Sequence, residues 1–175
     1  MNDLKTERLV IRKFKETDAQ DLYEYLSDEE VVRFEPYKPF SREDVHREAK
    51  RRAEDETFLA VCLHKGKLIG NLYFAKGAFD TWKAGYVFNR NYWGRGYATE
   101  GLKAIMKYAF ENLSAHRIVA MCDPRNTKSW RLLERVGMRR EGTLLQNVYF
   151  FVDENNEPIW KDTYEYAILK TEFTG

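Results

Sequence analysis

A chain of 175 residues, 43% hydrophobic and 15% aromatic, has enough apolar material for one domain with a sizeable core and too little for two. Its 29 basic and 28 acidic residues leave a formal net charge of +1, which argues against a general binder of nucleic acid or of membrane surfaces. No apolar run is long enough for a membrane span, and the mixed-charge start Met1–Arg8 holds no signal-peptide core. Cys62 and Cys122 each sit inside a strand-like apolar run, as buried free thiols do, so a reducing, cytoplasmic setting is expected. His46, His64 and His116 share no metal-ligand spacing, and no metal site is expected.

In chain order, Leu9–Phe14 is a first strand. Thr17-x-x-Gln20 has the form of a capping box before a helix with the apolar stripe Ala19, Leu22, Tyr23 and Leu26. Val31, Val32 and Phe34 form a short further piece, broken by Pro36 and Pro39. Ser41-x-x-Asp44 caps a charged helix to about Glu56, whose narrow stripe Val45, Ala49 and Ala53 predicts a solvated surface position. Phe58–Leu63 and Lys67–Phe74 read as a hairpin around His64-Lys65-Gly66. Gly77–Lys83 is expected as a loop and Ala84–Phe88 as a strand.

After that strand comes Asn91-Tyr92-Trp93-Gly94-Arg95-Gly96-Tyr97-Ala98-Thr99-Glu100, and then a helical stripe of Ala98, Leu102, Ile105, Met106, Ala109 and Leu113. A glycine turn joining a strand to a helix N-terminus is an anion cradle, and the chemistry it suits is a pyrophosphate. No lysine follows as in a P-loop, and Thr99 stands where a dinucleotide fingerprint has its third small residue. A tight turn without a ligand is the plainer alternative. Further on, Arg117–Cys122 is a buried strand, ended by Asp123-Pro124-Arg125-Asn126. A helix follows with Trp130, Leu133 and Val136 on one face and Gly137 as its stop. Met138–Val152 contains a long strand, Asn155–Pro158 turns the chain, and Thr163–Leu169 is the last strand. The order predicts an α+β or α/β domain with a mixed sheet over the whole of 1–175.

The stretch Tyr92–Glu100 resembles the acetyl-CoA-binding motif of the GCN5-related N-acetyltransferases, and is closest to the branch of the ribosomal-protein N-terminal acetyltransferases. The resemblance runs from Thr6 to Leu169. Asn91 occupies a position where many members have Gln or Arg. A second match, Asn126-Thr127-Lys128-Ser129 followed by Val136-Gly137-Met138, resembles the family's Asn-x-x-Ser and Gly motif. The resemblance implies a mixed, mostly antiparallel, V-shaped sheet of six or seven strands flanked by helices. Acetyl-CoA would lie where Ala84–Phe88 and Arg117–Cys122 splay apart, with its pantetheine paired to the backbone of Val87 and Phe88. A backbone N–H near Phe88 or Asn89 would face the thioester carbonyl. The pyrophosphate would rest on Gly94, Arg95, Gly96, Tyr97, Ala98 and Thr99.

Asn126 would bond the pantetheine arm, or only cap its helix; Ser129 would protonate the leaving thiolate. The expected reaction is direct acetyl transfer to a primary amine, on a small molecule or a protein N-terminus, by a monomer or homodimer. A non-catalytic CoA-binding regulatory module is the rival. Some relatives carry a carboxylate before an aromatic on the strand after Gly142; here Val148 precedes Tyr149, so that base has no counterpart. Asp162, Glu165, Glu100 or water remain as candidate bases, and Phe34, Tyr37, Tyr149 and Phe151 as candidate lining of an acceptor pocket.

Overall fold

A computed structural model describes residues 2–175. One sheet of eight strands runs in the order β1-β2-β3-β4-β5-β6-β8-β7. The strands are β1 (Leu4–Lys5), β2 (Leu9–Lys13), β3 (Phe58–Leu63), β4 (Leu68–Lys76), β5 (Thr81–Phe88), β6 (Arg117–Cys122), β7 (Arg139–Val152) and β8 (Pro158–Leu169). All neighbours are antiparallel except β5 and β6. The count is eight rather than six or seven because Leu4–Lys5 folds back onto Ile11 and Val10. The Thr6 N–H closes that turn on the Leu9 carbonyl at 2.9 Å.

Helices α1 (Ala19–Leu26), α2 (Glu29–Val32) and α3 (Arg42–Glu54) cover one face, where Leu22, Leu26, Val45 and Ala49 pack with Ala60, Leu68 and Val87. Helices α4 (Tyr97–Asn112) and α5 (Thr127–Arg135) cover the other, where Leu102, Ile105 and Met106 pack with Leu9, Val61 and Phe88. Each fully buried Leu or Ile contributes about 1.5–3 kcal/mol. The alternation of β5 therefore sends Val87 into one core and Phe88 into the other.

The Thr17–Gln20 capping box does not form. A single 3₁₀ turn, Glu16–Asp18, precedes α1, and the Asp18 carboxylate accepts from the Lys15 N–H at 2.8 Å while paired with Arg12 at 2.7 Å. The Ser41–Asp44 capping box does form. Helix α3 is less solvated than its charge predicts, because Arg52 is only 2% exposed. The loop expected over Gly77–Lys83 shrinks to Gly77–Asp80, since Thr81–Lys83 pair with β6 and Trp82–Lys83 also with β4. Likewise β8 begins at Pro158 rather than Thr163, drawn out by hairpin pairing with β7.

Candidate active site

Only Thr81–Lys83 of β5 pair with β6, against Arg117–Val119. Beyond Lys83 the two strands part, while β5 keeps its ladder to β4 through Phe88 and β6 keeps its ladder to β8 through Cys122. The sheet is thus split into a V whose inner edges are Ala84–Phe88 and Ala120–Cys122. Backbone groups on those edges have no strand partner and must be satisfied otherwise.

Antiparallel ladders alternate, so only every second residue of β5 faces the gap. The Asn89 N–H donates to the Ile69 carbonyl at 2.9 Å, which turns Asn89, and with it Val87 and Gly85, toward β4. Ala84, Tyr86 and Phe88 are left facing the opening. Of Val87 and Phe88, then, Phe88 alone offers its N–H to the gap, and Asn89 is not free to act as an oxyanion donor. The Phe88 carbonyl accepts from the Trp93 indole N–H at 2.8 Å, and the Lys128 ammonium lies 4.1 Å from the Trp93 ring centre. These contacts tie the end of β5 to the following turn and to α5.

That turn reaches α4 through two left-handed residues, Gly94 at φ +73° and Gly96 at φ +81°. An L side chain adopts this conformation at a cost of about 1–2 kcal/mol. Gly96 is the N-cap of α4, and the first helical bond runs from the Glu100 N–H to its carbonyl at 3.0 Å. The N–H groups of Tyr97, Ala98 and Thr99 consequently lack intrahelical partners and stand at the positive end of a 16-residue helix. Gly94, Arg95 and Gly96 are exposed beside them. This arrangement can hold a diphosphate. The Arg95 guanidinium lies over Tyr92, 5.8 Å from its ring centre, and is exposed.

The cradle is braced from behind by a contact between residues 92 positions apart. The Glu100 carboxylate accepts from the Thr6 hydroxyl at 2.5 Å, the Arg8 N–H at 2.9 Å and the Arg8 Nε at 2.7 Å. Arg8 also donates from Nη1 to the Arg95 carbonyl at 2.9 Å. Burial works against the charge on Glu100, but the bonds from Thr6 and Arg8 prevail and hold its carboxyl below the usual range. Glu100 is a brace and not a base.

On α5, Asn126 is the N-cap: its Oδ1 accepts from the Ser129 N–H at 3.2 Å. The amide nitrogen of Asn126 is left without a partner among the described residues. The Ser129 hydroxyl lies 2.8 Å from the Tyr86 hydroxyl, and either oxygen can be the donor. Tyr86 Oη is also 3.0 Å from the Ser129 carbonyl. Burial, chiefly, pushes the Tyr86 hydroxyl well above the usual tyrosine range, so it stays protonated. Cys122 lies beside the Ser129 hydroxyl, its thiol pushed up by burial to about 11, which makes it inert at neutral pH.

The remaining candidate bases are also engaged. Asp162 accepts from the Gln146 N–H at 2.8 Å within the β7–β8 hairpin, and Glu165 lies 4.0 Å from Arg117. Tyr149, half exposed, packs edge-on against Trp160, while Phe34 lies under Arg125. Two surface grooves lie along Lys38–Arg51 and around Arg33 and Arg90, away from the glycine turn.

One residue of the cleft escapes the sequence reading. Tyr86 was visible as part of a strand, but its partner lies 43 positions away. Glu35 stands between α2 and α3, its carboxyl raised to about 7 by burial, against the opposing hydrogen bond from Tyr37 and the charges of Arg52 and Lys161. Among the described residues no group of His, Cys, Asp and Glu could hold a metal ion, and no helix is long and apolar enough to cross a membrane.

A split sheet with a helix N-terminus at its mouth and a hydroxyl pair at its rim offers an extended ligand an unpaired backbone edge and an end that suits an anion. The sequence pattern described as "Acetyltransferase (GNAT) domain" matches residues 8–139. The chain is 39% identical over 174 residues to an N-acetyltransferase of Bacillus subtilis known as YnaD, covering 96% of this chain and 97% of that one. It is 26% identical to the alanine N-acetyltransferase of ribosomal protein uS5 from Escherichia coli, over 98% of this chain and 92% of that one. Among solved structures, a GNAT-family acetyltransferase from Bacillus anthracis superposes with a TM-score of 0.86 at 38% identity, covering 97% and 99% of the two chains. Spermidine N-acetyltransferase from Vibrio cholerae, in complex with CoA and spermine, shares the fold at a TM-score of 0.78 and 18% identity, covering 97% and 100%. The chain belongs to the GNAT acetyltransferases, enzymes that move an acetyl group from acetyl-CoA to an amine.

Proposed function

We propose that acetyl-CoA lies along the V, with its pyrophosphate on the N–H groups of Arg95, Gly96, Tyr97, Ala98 and Thr99 and the glycine turn at Gly94 shaping the approach. Its pantetheine runs along the open edge at Tyr86 and Phe88, where the unpaired backbone can bond its amides as a strand partner would. The amide nitrogen of Asn126 bonds the same arm, since capping occupies only its oxygen. Val87 packs in the core beneath, its backbone committed to β4. The Phe88 N–H faces the thioester carbonyl and stabilises the oxyanion of the tetrahedral adduct.

When the C–S bond breaks, the electron pair goes to sulfur. Ser129 gives its hydroxyl proton to that thiolate and is supported by Tyr86, which donates to the Ser129 oxygen in turn. The Tyr86–Ser129 contact at the rim of the splayed strands carries this reading, and favours a catalyst over a binding module. The acceptor is a primary amine, entering from the side of the sheet covered by α1–α3, and the protein works in the cytoplasm. The experiment is a screen of amines with detection of free thiol from acetyl-CoA, spanning polyamines, amino acids and alanine-initiated peptides. Release of CoA that depends on one amine class identifies the acceptor; no release with any of them contradicts transfer.

A further inference from the structure

We infer that Arg8 is a positioning residue for acetyl-CoA: it holds the Arg95–Gly96 peptide with its N–H turned into the cradle before any cofactor arrives. The inference rests on the cofactor placement above and names the residue that presets it. Gly96, at φ +81° and ψ −2°, has the angles of the third residue of a type II turn, whose central peptide is here Arg95–Gly96. In the commoner type I turn that peptide is turned over, and the third residue takes a negative φ. The two forms present opposite edges of the same peptide to a ligand at the turn, and only one of them offers an N–H. In a planar trans peptide the C=O and the N–H point in opposite directions. Arg8 Nη1 donates to the Arg95 carbonyl at 2.9 Å, so the Gly96 N–H points away from Arg8. The guanidinium stands close on its own side of the turn, where a Cβ at Gly96 would lie 3.3 Å from Nη2.

Arg8 can impose this orientation because it is itself held. Its Nε donates to Glu100 Oε2 at 2.7 Å, its Nη2 lies 2.6 Å from the same oxygen, and its backbone N–H donates to Glu100 Oε1 at 2.9 Å. Its guanidinium carbon lies 4.6 Å from the ring centre of Tyr97, the first residue of α4. The chain on either side is fixed as well. Leu9 is fully buried in the core shared with α4, and its N–H donates to the Thr6 hydroxyl at 3.0 Å. His64 fastens the same turn from the β3–β4 connection, its Nε2 3.2 Å from the Thr6 carbonyl and 3.1 Å from that of Glu7. The Glu100 carboxylate, which alone would repel a diphosphate at this helix end, is engaged by Arg8 and serves as its anchor.

The test uses protein labelled with 13C-carbonyl arginine and 15N-glycine. Gly96 is the only glycine of the sequence that follows an arginine, so the labels give one correlation that reports its N–H and the Arg95 carbonyl together. Wild type, Arg8→Ala and Glu100→Ala are titrated with acetyl-CoA and with S-acetylpantetheine, which lacks the diphosphate. In wild type, acetyl-CoA should move the Gly96 N–H and leave the Arg95 carbonyl nearly in place, because the peptide is preset; S-acetylpantetheine should move neither. In Arg8→Ala the carbonyl should shift before any ligand is added. Acetyl-CoA should then bind at least about tenfold more weakly, and S-acetylpantetheine less than about threefold more weakly.

Glu100→Ala separates positioning from plain charge. Removing a carboxylate beside the cradle would strengthen acetyl-CoA binding if Arg8 acted by its charge alone. Loss of the anchor should instead weaken binding about fivefold or more. Unchanged acetyl-CoA affinity in folded Arg8→Ala, equal losses for the two thioesters, tighter binding by Glu100→Ala, or a wild-type carbonyl that moves as far as the N–H would each overturn the role of Arg8. A wild-type Gly96 N–H that acetyl-CoA leaves in place overturns instead the cofactor placement, and the role of Arg8 falls with it.

Discussion

The Tyr86 hydroxyl lies 2.8 Å from the Ser129 hydroxyl, joining the open edge of β5 to the first turn of α5. Tyr86 is one of the residues that alternation leaves facing the gap, and Ser129 sits one turn into a helix capped by Asn126. Burial keeps the Tyr86 hydroxyl protonated, and its one proton can go to the Ser129 hydroxyl oxygen or to the Ser129 carbonyl at 3.0 Å.

Ser129→Ala should lower kcat about 100-fold while acetyl-CoA affinity stays within a few-fold, because the lost proton is needed only as the C–S bond breaks. Tyr86→Phe should give a smaller loss, roughly tenfold, in the same parameter. Steady-state kinetics paired with equilibrium binding of acetyl-CoA checks both. Collapse of binding with kcat intact at saturation would make Ser129 a cofactor ligand only.

The brace behind the cradle predicts a pH effect on stability. Glu100 has its carboxyl depressed in the folded state, so its contribution is fully present above the unfolded carboxylate pKa and fades as pH falls through the folded value. Glu100→Gln should therefore cost about 1–2 kcal/mol at pH 7, a modest figure because Arg8 is 41% exposed. The difference from wild type should vanish in acid. Urea denaturation of the two proteins at neutral and at acid pH measures it.

Arg52 is expected to matter for folding. It is buried among Glu48, Asn71, Phe14 and Phe58, with Tyr25 donating to the same Asn71 oxygen at 3.0 Å. Arg52→Met should destabilise the protein by about 3 kcal/mol, since Glu48 keeps only Arg51 and the Asn71 oxygen loses its charged donor. Denaturant titration reads this directly.

Local patterns made much of the site legible. The two glycines around Arg95 announced left-handed turns before a helix, and Asn126-x-x-Ser129 announced a cap. Both depend on chemistry within a few residues. The core stripe of α4 was readable for the same reason. What sequence could not supply was pairing over distance. Nothing near Ser129 names Tyr86, and nothing near Glu100 names Thr6 or Arg8, so the brace looked like a candidate base. Strand phase was equally hidden: whether Val87 or its neighbours face the gap depends on the register of β5 against β4. The capping box at Thr17 failed because Arg12, on the preceding strand, fixes Asp18 as the residue that closes the turn.

The most direct measurement is the melting temperature of wild type and Gly96→Asp as acetyl-CoA is titrated, with ATP and NAD as controls. At about 100 times its dissociation constant a ligand adds about 2.7 kcal/mol, or roughly 5–10 °C for a domain of this size. Wild type should show that shift with acetyl-CoA and none with ATP or NAD. Gly96→Asp places a carboxylate where the pyrophosphate would rest, at φ +81° and with its Cβ 3.3 Å from Arg8 Nη2; it should bind at least about tenfold more weakly. A flat titration of the folded wild type, or an equal shift in the folded variant, would contradict the cradle as the cofactor site.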